Sequence, residues 1–142
     1  MKRYRVILDT NVVLAALRSR TGASHRLLAT IGHPRWQSVV TPALMYEYED
    51  VARRPGATPG LSPHEITNVL DMIYRESHRQ FVWFSWRPLS TDPGDDAILE
   101  AAIAGRCDYV VSFNEPHLRV AREFGIEVLK PVNLLKLIGE IK

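Results

Sequence analysis

The chain has 142 residues, 46% of them hydrophobic and 24% charged, with a formal net charge of +2. That composition belongs to a single globular domain, residues 1–142, large enough to bury a core, and excludes a disordered chain. A lone cysteine, Cys107, excludes an internal disulfide framework and a cysteine-based zinc site, and no apolar run is long enough to cross a bilayer.

The first element is a strand at residues 4–8, Tyr4-Arg5-Val6-Ile7-Leu8, running directly into Asp9-Thr10-Asn11 and then a helix over 12–17. The basic start at Lys2, Arg3 and Arg5 is followed by too short an apolar stretch for a secretory signal, so a cytoplasmic location is expected. In an open α/β sheet, ligands sit outside the carboxyl ends of the strands. Asp9 falls there. A carboxylate desolvated at such an edge is best explained by a cation that it holds. Thr10 and Asn11 either orient Asp9 or cap the following helix, because both tasks use the same side-chain oxygens.

A helix over 24–31 and a strand over 36–40 follow, and Thr41-Pro42 then starts a helix over 42–53. Leu44, Tyr48 and Val51 fall at i, i+4 and i+7 and mark its core stripe. Glu47 lies beside that stripe and leans toward the sheet edge, whereas Glu49 and Asp50 point to solvent. The stretch Arg54-Pro55-Gly56-Ala57-Thr58-Pro59-Gly60 is a loop, and Ser62-Pro63-His64-Glu65 is a capping box opening a helix over 63–78.

The aromatic run Phe81-Val82-Trp83-Phe84-Ser85-Trp86 reads as a strand at 80–84 buried on both faces, leaving Trp86 as the candidate for base stacking. Asp92-Pro93-Gly94-Asp95-Asp96 leads into a helix over 96–105 with an apolar face at Ile98, Leu99, Ala102 and Ile103. Asp95 and Asp96 each serve either as a cap in the favourable field of the helix N-terminus or as a ligand, with Asp96 closer to the packed face. A strand at 109–112 then delivers Ser112, Phe113, Asn114 and Glu115, where Ser112 and Asn114 are neutral oxygen donors or local caps, and Ser112, like Thr10 and Asn11, is a candidate to support the acidic ligands. A helix over 116–124, a strand over 126–129 and a helix over 132–141 complete the chain. Gly105 and Gly125 sit where helices end in a left-handed residue. Cys107 reads as a small buried residue, and the five histidines fall at no metal-binding spacing.

Strands alternating with helices predict an α/β fold, three layers around a mostly parallel sheet of about five strands. Acidic groups following separate strands repel unless a divalent cation draws them together, and an all-oxygen donor set suits Mg²⁺ or Mn²⁺. Such a centre polarises a phosphodiester and activates water.

Asp9-Thr10-Asn11-Val12, Glu47, Asp92-Pro93-Gly94-Asp95-Asp96 with Leu99 and Ala102, and Asp108-Tyr109-Val110-Val111-Ser112-Phe113-Asn114 together resemble the PIN domain, most closely its branch of type II toxin–antitoxin toxins. The resemblance runs over nearly the whole chain. It implies a PIN-like fold and a Mg²⁺- or Mn²⁺-dependent endoribonuclease, with Asp9, Glu47 and Asp96 (Asp95 its rival) on the metal and Asn114 at the fourth position. Many members carry aspartate there. Asparagine keeps an oxygen but removes a charge, which implies one tight metal site. The resemblance also implies an RNA substrate, a small antitoxin protein and a homodimer or larger homo-oligomer. Arg18, Arg20 and Arg26 are candidate phosphate contacts, or else a solvated basic face. The alternative is a catalytically degenerate module of the same fold that binds RNA or protein. A phosphatase led by an aspartate wants a second aspartate two residues on, where Asn11 stands.

Overall fold

The computed structural model describes residues 2–82 and 93–142, with backbone alone for 93–96 and 115–117. In chain order the elements are β1 (Tyr4–Leu8), α1 (Thr10–Arg18), α2 (Ala23–Ala29), β2 (Trp36–Val40), α3 (Pro42–Ala52), α4 (Pro63–Glu76), β3 (His78–Arg79), α5 (Pro93–Ala104), β4 (Tyr109–Val111), a 3-10 segment (Glu115–Phe124), β5 (Glu127–Leu129) and α6 (Pro131–Leu137).

Five strands form one sheet in the order β3-β2-β1-β4-β5, and every pairing is parallel. Helices flank it, as parallel strands require, since each crossover lays a helix on a face. The central strand β1 buries Val6, Ile7 and Leu8 almost completely, and Val39, Val40, Val110 and Val111 continue that apolar layer. These β-branched and leucine runs have no polar alternation, which is the signature of a strand covered on both faces. α1 packs on α2 and α3, and α5 lies against β1, β2 and α3. Among the described residues no helix is long and apolar enough to cross a membrane.

Capping chemistry fixes the helix starts. Thr41 Oγ1 accepts from the Leu44 amide at 3.1 Å, and Ser62 and Glu65 complete the reciprocal capping box at 3.1 Å each way. The loop over 54–60 contains neither helix nor strand. Arg18 Nε donates to the Ala57 carbonyl at 2.7 Å and holds that loop against α1.

The structure corrects the sequence reading at several points. α4 ends at Glu76, and the following strand is His78–Arg79 rather than residues 80–84. Ser77 turns extended (ψ 153°), and the edge pairing runs through Val39 with His78 and Val40 with Arg79. Phe81 is 64% exposed, so the double-sided burial expected for it is not found. Trp83, Phe84, Trp86 and Asp92 lie outside the described residues. The helix expected over 116–124 is of 3-10 type and bends at Leu118 (φ −112°, ψ 21°), and the stripe of α3 closes on Ala52 rather than Val51.

Gly125 does cap in the left-handed region at φ 76°, but Gly105 does not; Arg106 carries the positive φ, 49°, in its place. Glycine at 105 serves close packing instead. A Cβ there would stand 2.9 Å from Val39 Cγ1, 3.1 Å from the Ala101 carbonyl oxygen and 3.2 Å from Cys107 Sγ. Gly105→Ala is therefore expected to destabilise the fold by about 1–3 kcal/mol, the usual cost of overpacking. A urea-unfolding midpoint unchanged from wild type would refute the packing role.

Candidate metal centre

Strand order decides where a site can form. The chain builds outward from β1 to β2 and β3, then returns to the other side of β1 with β4 and β5. The order reverses between β1 and β4, so their carboxyl ends flank the crevice in which open α/β sheets bind ligands. Asp9 follows β1 and Ser112 follows β4, and the Asp9 amide donates to the Val111 carbonyl at 2.9 Å.

Asp9 occupies the N-cap position of α1 yet makes no capping hydrogen bond. Its side chain turns to the crevice instead, where Ser112 Oγ donates to Asp9 Oδ2 at 2.6 Å. Ser112 is fully buried and Asp9 is 6% exposed. The serine oxygen also accepts from the Asn114 backbone N–H at 2.9 Å and from Asn11 Nδ2 at 3.4 Å. With both lone pairs met by N–H groups, the hydroxyl proton has one place to go, the Asp9 carboxylate. Asn11 completes the link by accepting, at 3.5 Å, from the Phe113 amide. Asn11 thus bridges to the loop after β4 rather than capping α1.

The buried Tyr48 reaches across from α3 and donates its hydroxyl to the Leu8 carbonyl, one residue before Asp9. Burial holds this phenol well above its ordinary range, and the charges of Asp9 and Glu47 raise it further. Two carboxylates from different elements therefore act on one buried ring. Glu47 is half-buried, as its position beside the Leu44–Tyr48 stripe predicts, while Glu49 and Asp50 are exposed and pair with Arg53 and Arg54.

A helix joining parallel strands starts at their carboxyl edge, so the first turn of α5 lies on the same edge as Asp9. Asp95 and Asp96 are its third and fourth residues, inside the helix rather than at its cap; their side chains lie outside the described residues. Asn114 is exposed at the start of the 3-10 segment and makes no side-chain capping bond. Glu100, which the sequence reading gave no role, is 6% exposed on α5. It lines a cavity of about 210 Å³ with Thr41, Ala43 and Ala97. Its signal was its place four residues after Asp96, one helical turn along the same face.

Other candidates fall elsewhere. Arg26 donates to the Glu140 carbonyl at 3.1 Å, and Arg18 is committed to Ala57, so both secure backbone. Arg20 lines an apolar cavity with Leu28, Glu65 and Met72. Burial pushes the Cys107 thiol up to about 12, which leaves it unreactive.

Among the described residues, the candidate donors Asp9, Thr10 and Glu47 offer oxygen, which fits a hard divalent cation in chemistry. Thr10 Oγ1, next to Asp9 in sequence, is buried without a hydrogen-bond partner among the described residues, as a group awaiting water or an ion would be. No three of His, Cys, Asp and Glu cluster among the described residues. The third acidic position, Asp95 and Asp96, falls on side chains that are not described.

A family model described as "PIN domain" matches residues 5–115, which takes in β1 through the loop after β4. No curated protein matches the chain.

Tyr48 supplies a direct test of this arrangement. In the unfolded chain its phenol titrates near 10, and in the fold well above that. Below pH 10 both states keep the proton. Above it the unfolded chain releases the proton first, so stability falls as pH rises. Tyr48→Phe is expected to cost about 0.5–1.5 kcal/mol at pH 7, for the lost hydrogen bond, and to flatten the loss of stability above pH 10. Equal alkaline slopes for the two proteins in urea titrations would contradict it.

Proposed function

The chain belongs to the PIN domain family, and from that membership we propose that it is a metal-dependent endoribonuclease, the toxin of a type II toxin–antitoxin pair. PIN domains are generally nucleases, which supports phosphodiester hydrolysis as the reaction class. The observation that carries the reading is the Asp9 carboxylate, buried at the switch point of the sheet and held there by Ser112. A structural cap would have turned to the amides of α1.

On this reading Asp9, Glu47 and Asp96, with Asp95 as its neighbour, hold Mg²⁺ or Mn²⁺. Bound there, the ion would polarise the phosphodiester and activate a water for attack on it. The chain's own residues do the rest. Ser112 fixes which Asp9 oxygen is engaged by the protein, and Tyr48 sets the height of Leu8 and so of Asp9 above the sheet edge. Asn114 stands beside the centre as a neutral oxygen donor, so the negative charge comes from the acidic residues of β1, α3 and α5. A small antitoxin protein and a homodimer belong to the same reading, since pairing two weakly basic surfaces would build a longer groove for a polyanion.

A second reading keeps the fold without turnover, and Asn114 favours it, because a carboxylate there would contribute charge that an amide does not.

The deciding experiment incubates purified protein with single-stranded and structured RNA in Mn²⁺, Mg²⁺ or chelator, beside Asp9→Asn. The expected result is metal-dependent cutting that falls at least about a hundredfold in the variant, as removal of an interaction worth several kcal/mol demands. Retention of RNA by wild type without cutting in either metal would establish the binding module instead.

A further inference from the structure

The edge of the sheet beyond β2 carries a second feature that the acidic residues do not explain. After β3 the chain leaves the sheet through Gln80, whose amide still donates to the Val40 carbonyl at 2.8 Å, and presents Phe81 at 64% exposure. Tyr74, near the end of α4, is 48% exposed, and the Arg79 guanidinium lies over its ring at 5.0 Å from the centroid. Arg79 is held in that place by donating to the Tyr74 carbonyl at 3.0 Å. Tyr74, Arg79, Gln80 and Phe81 line one cleft of about 210 Å³, whose remaining wall includes Pro42 and Met45 of α3.

We propose that this cleft is a nucleobase-binding subsite, which seats a base of a single-stranded RNA whose phosphate lies at the acidic edge. The inference rests on RNA as the substrate and adds to it a named place for a base. Exposed aromatic rings with a stacked arginine are the surface on which unpaired bases stack, because every base has a π-face. The volume lies below the range of about 300–1,000 Å³ that suits a whole small-molecule ligand, and it suits one planar ring. Among the described residues Arg79 is the one charged side chain lining the cleft, and its sign matches a phosphate backbone.

Position supports the same conclusion. The register pairs Val6 with Ser38, which sets Leu8 level with Val40, and Val40 pairs with Arg79. Two strand spacings, about 10 Å, therefore separate Arg79 from the residue preceding Asp9. That is within reach of a nucleotide close to the one at the acidic edge. α3 joins the two places, lending Pro42 and Met45 to the cleft and Glu47 to the edge. The exposed aromatic at 81, expected from sequence to be core, acquires a use.

The test measures fluorescence anisotropy of a labelled single-stranded RNA with wild type, Phe81→Ala and Tyr74→Ala, in chelator so that nothing is cut. A parallel set of RNAs carries one abasic nucleotide at successive positions. Each variant is expected to weaken binding about 5- to 150-fold, the equivalent of the roughly 1–3 kcal/mol that stacking one base contributes. At one abasic position the wild type should weaken by the same factor and its difference from the variants should vanish. Unchanged affinity in both variants, or a loss that persists at every abasic position, overturns the subsite. Hydrolysis of bis(p-nitrophenyl) phosphate by wild type with Mn²⁺, which offers a diester without a base, tests the nuclease reading separately.

Discussion

The hydrogen bond from Ser112 to Asp9 joins the carboxyl ends of β1 and β4 across the point where strand order reverses. Everything at the candidate centre depends on it. Removing a carboxylate from water is costly unless partners replace the solvent, and one partner here is a hydroxyl with its own lone pairs already occupied. The proton is thus committed to Asp9 by the two N–H groups that approach from Asn114 and Asn11. A negative charge at a fixed position follows from four residues whose chain positions span more than a hundred residues, and only the parallel sheet brings them together.

Tyr48 plays the complementary part on the side of α3. Its ring fills the core under the edge, and its hydroxyl takes the carbonyl that precedes Asp9. Because a phenol stays neutral there, it fills the space near Asp9 and Glu47 without adding a third charge to them. The charges in turn make ionisation of Tyr48 harder. An apolar floor and a neutral spacer beside two carboxylates leave room for the hard cation proposed above, which takes oxygen ligands.

Much of this was legible in the chain. β1 and β2 were readable to the residue, since Val6-Ile7-Leu8 and Val39-Val40 each run straight into a polar residue, which fixes where a buried strand stops. The cap at Thr41 and the capping box at Ser62 were equally plain, because the chemistry of a helix start is local. The misreadings come from long-range packing. β3 covers only His78–Arg79, and Phe81, expected in a buried strand, has an exposed ring. Gly105 looked like a left-handed cap, yet its lack of a side chain serves contact with Val39, 66 residues earlier. Of the site, Asp9 could be seen from its place after one strand and Ser112 as a supporting oxygen at the end of another, whereas the bond that joins them and the burial of Glu100 depend on how β4 and α5 pack.

Ser112 holds the carboxylate that is proposed to bind the metal. Calorimetric titration of Mn²⁺ into wild type and Ser112→Ala measures that in one step, without reference to any RNA. Loss of a hydrogen bond that orients a metal ligand typically costs about 10- to 100-fold in affinity, and that drop is the predicted result. Equal affinities in two equally folded proteins would contradict the account, because Asp9 would then hold the ion without the bond that positions it.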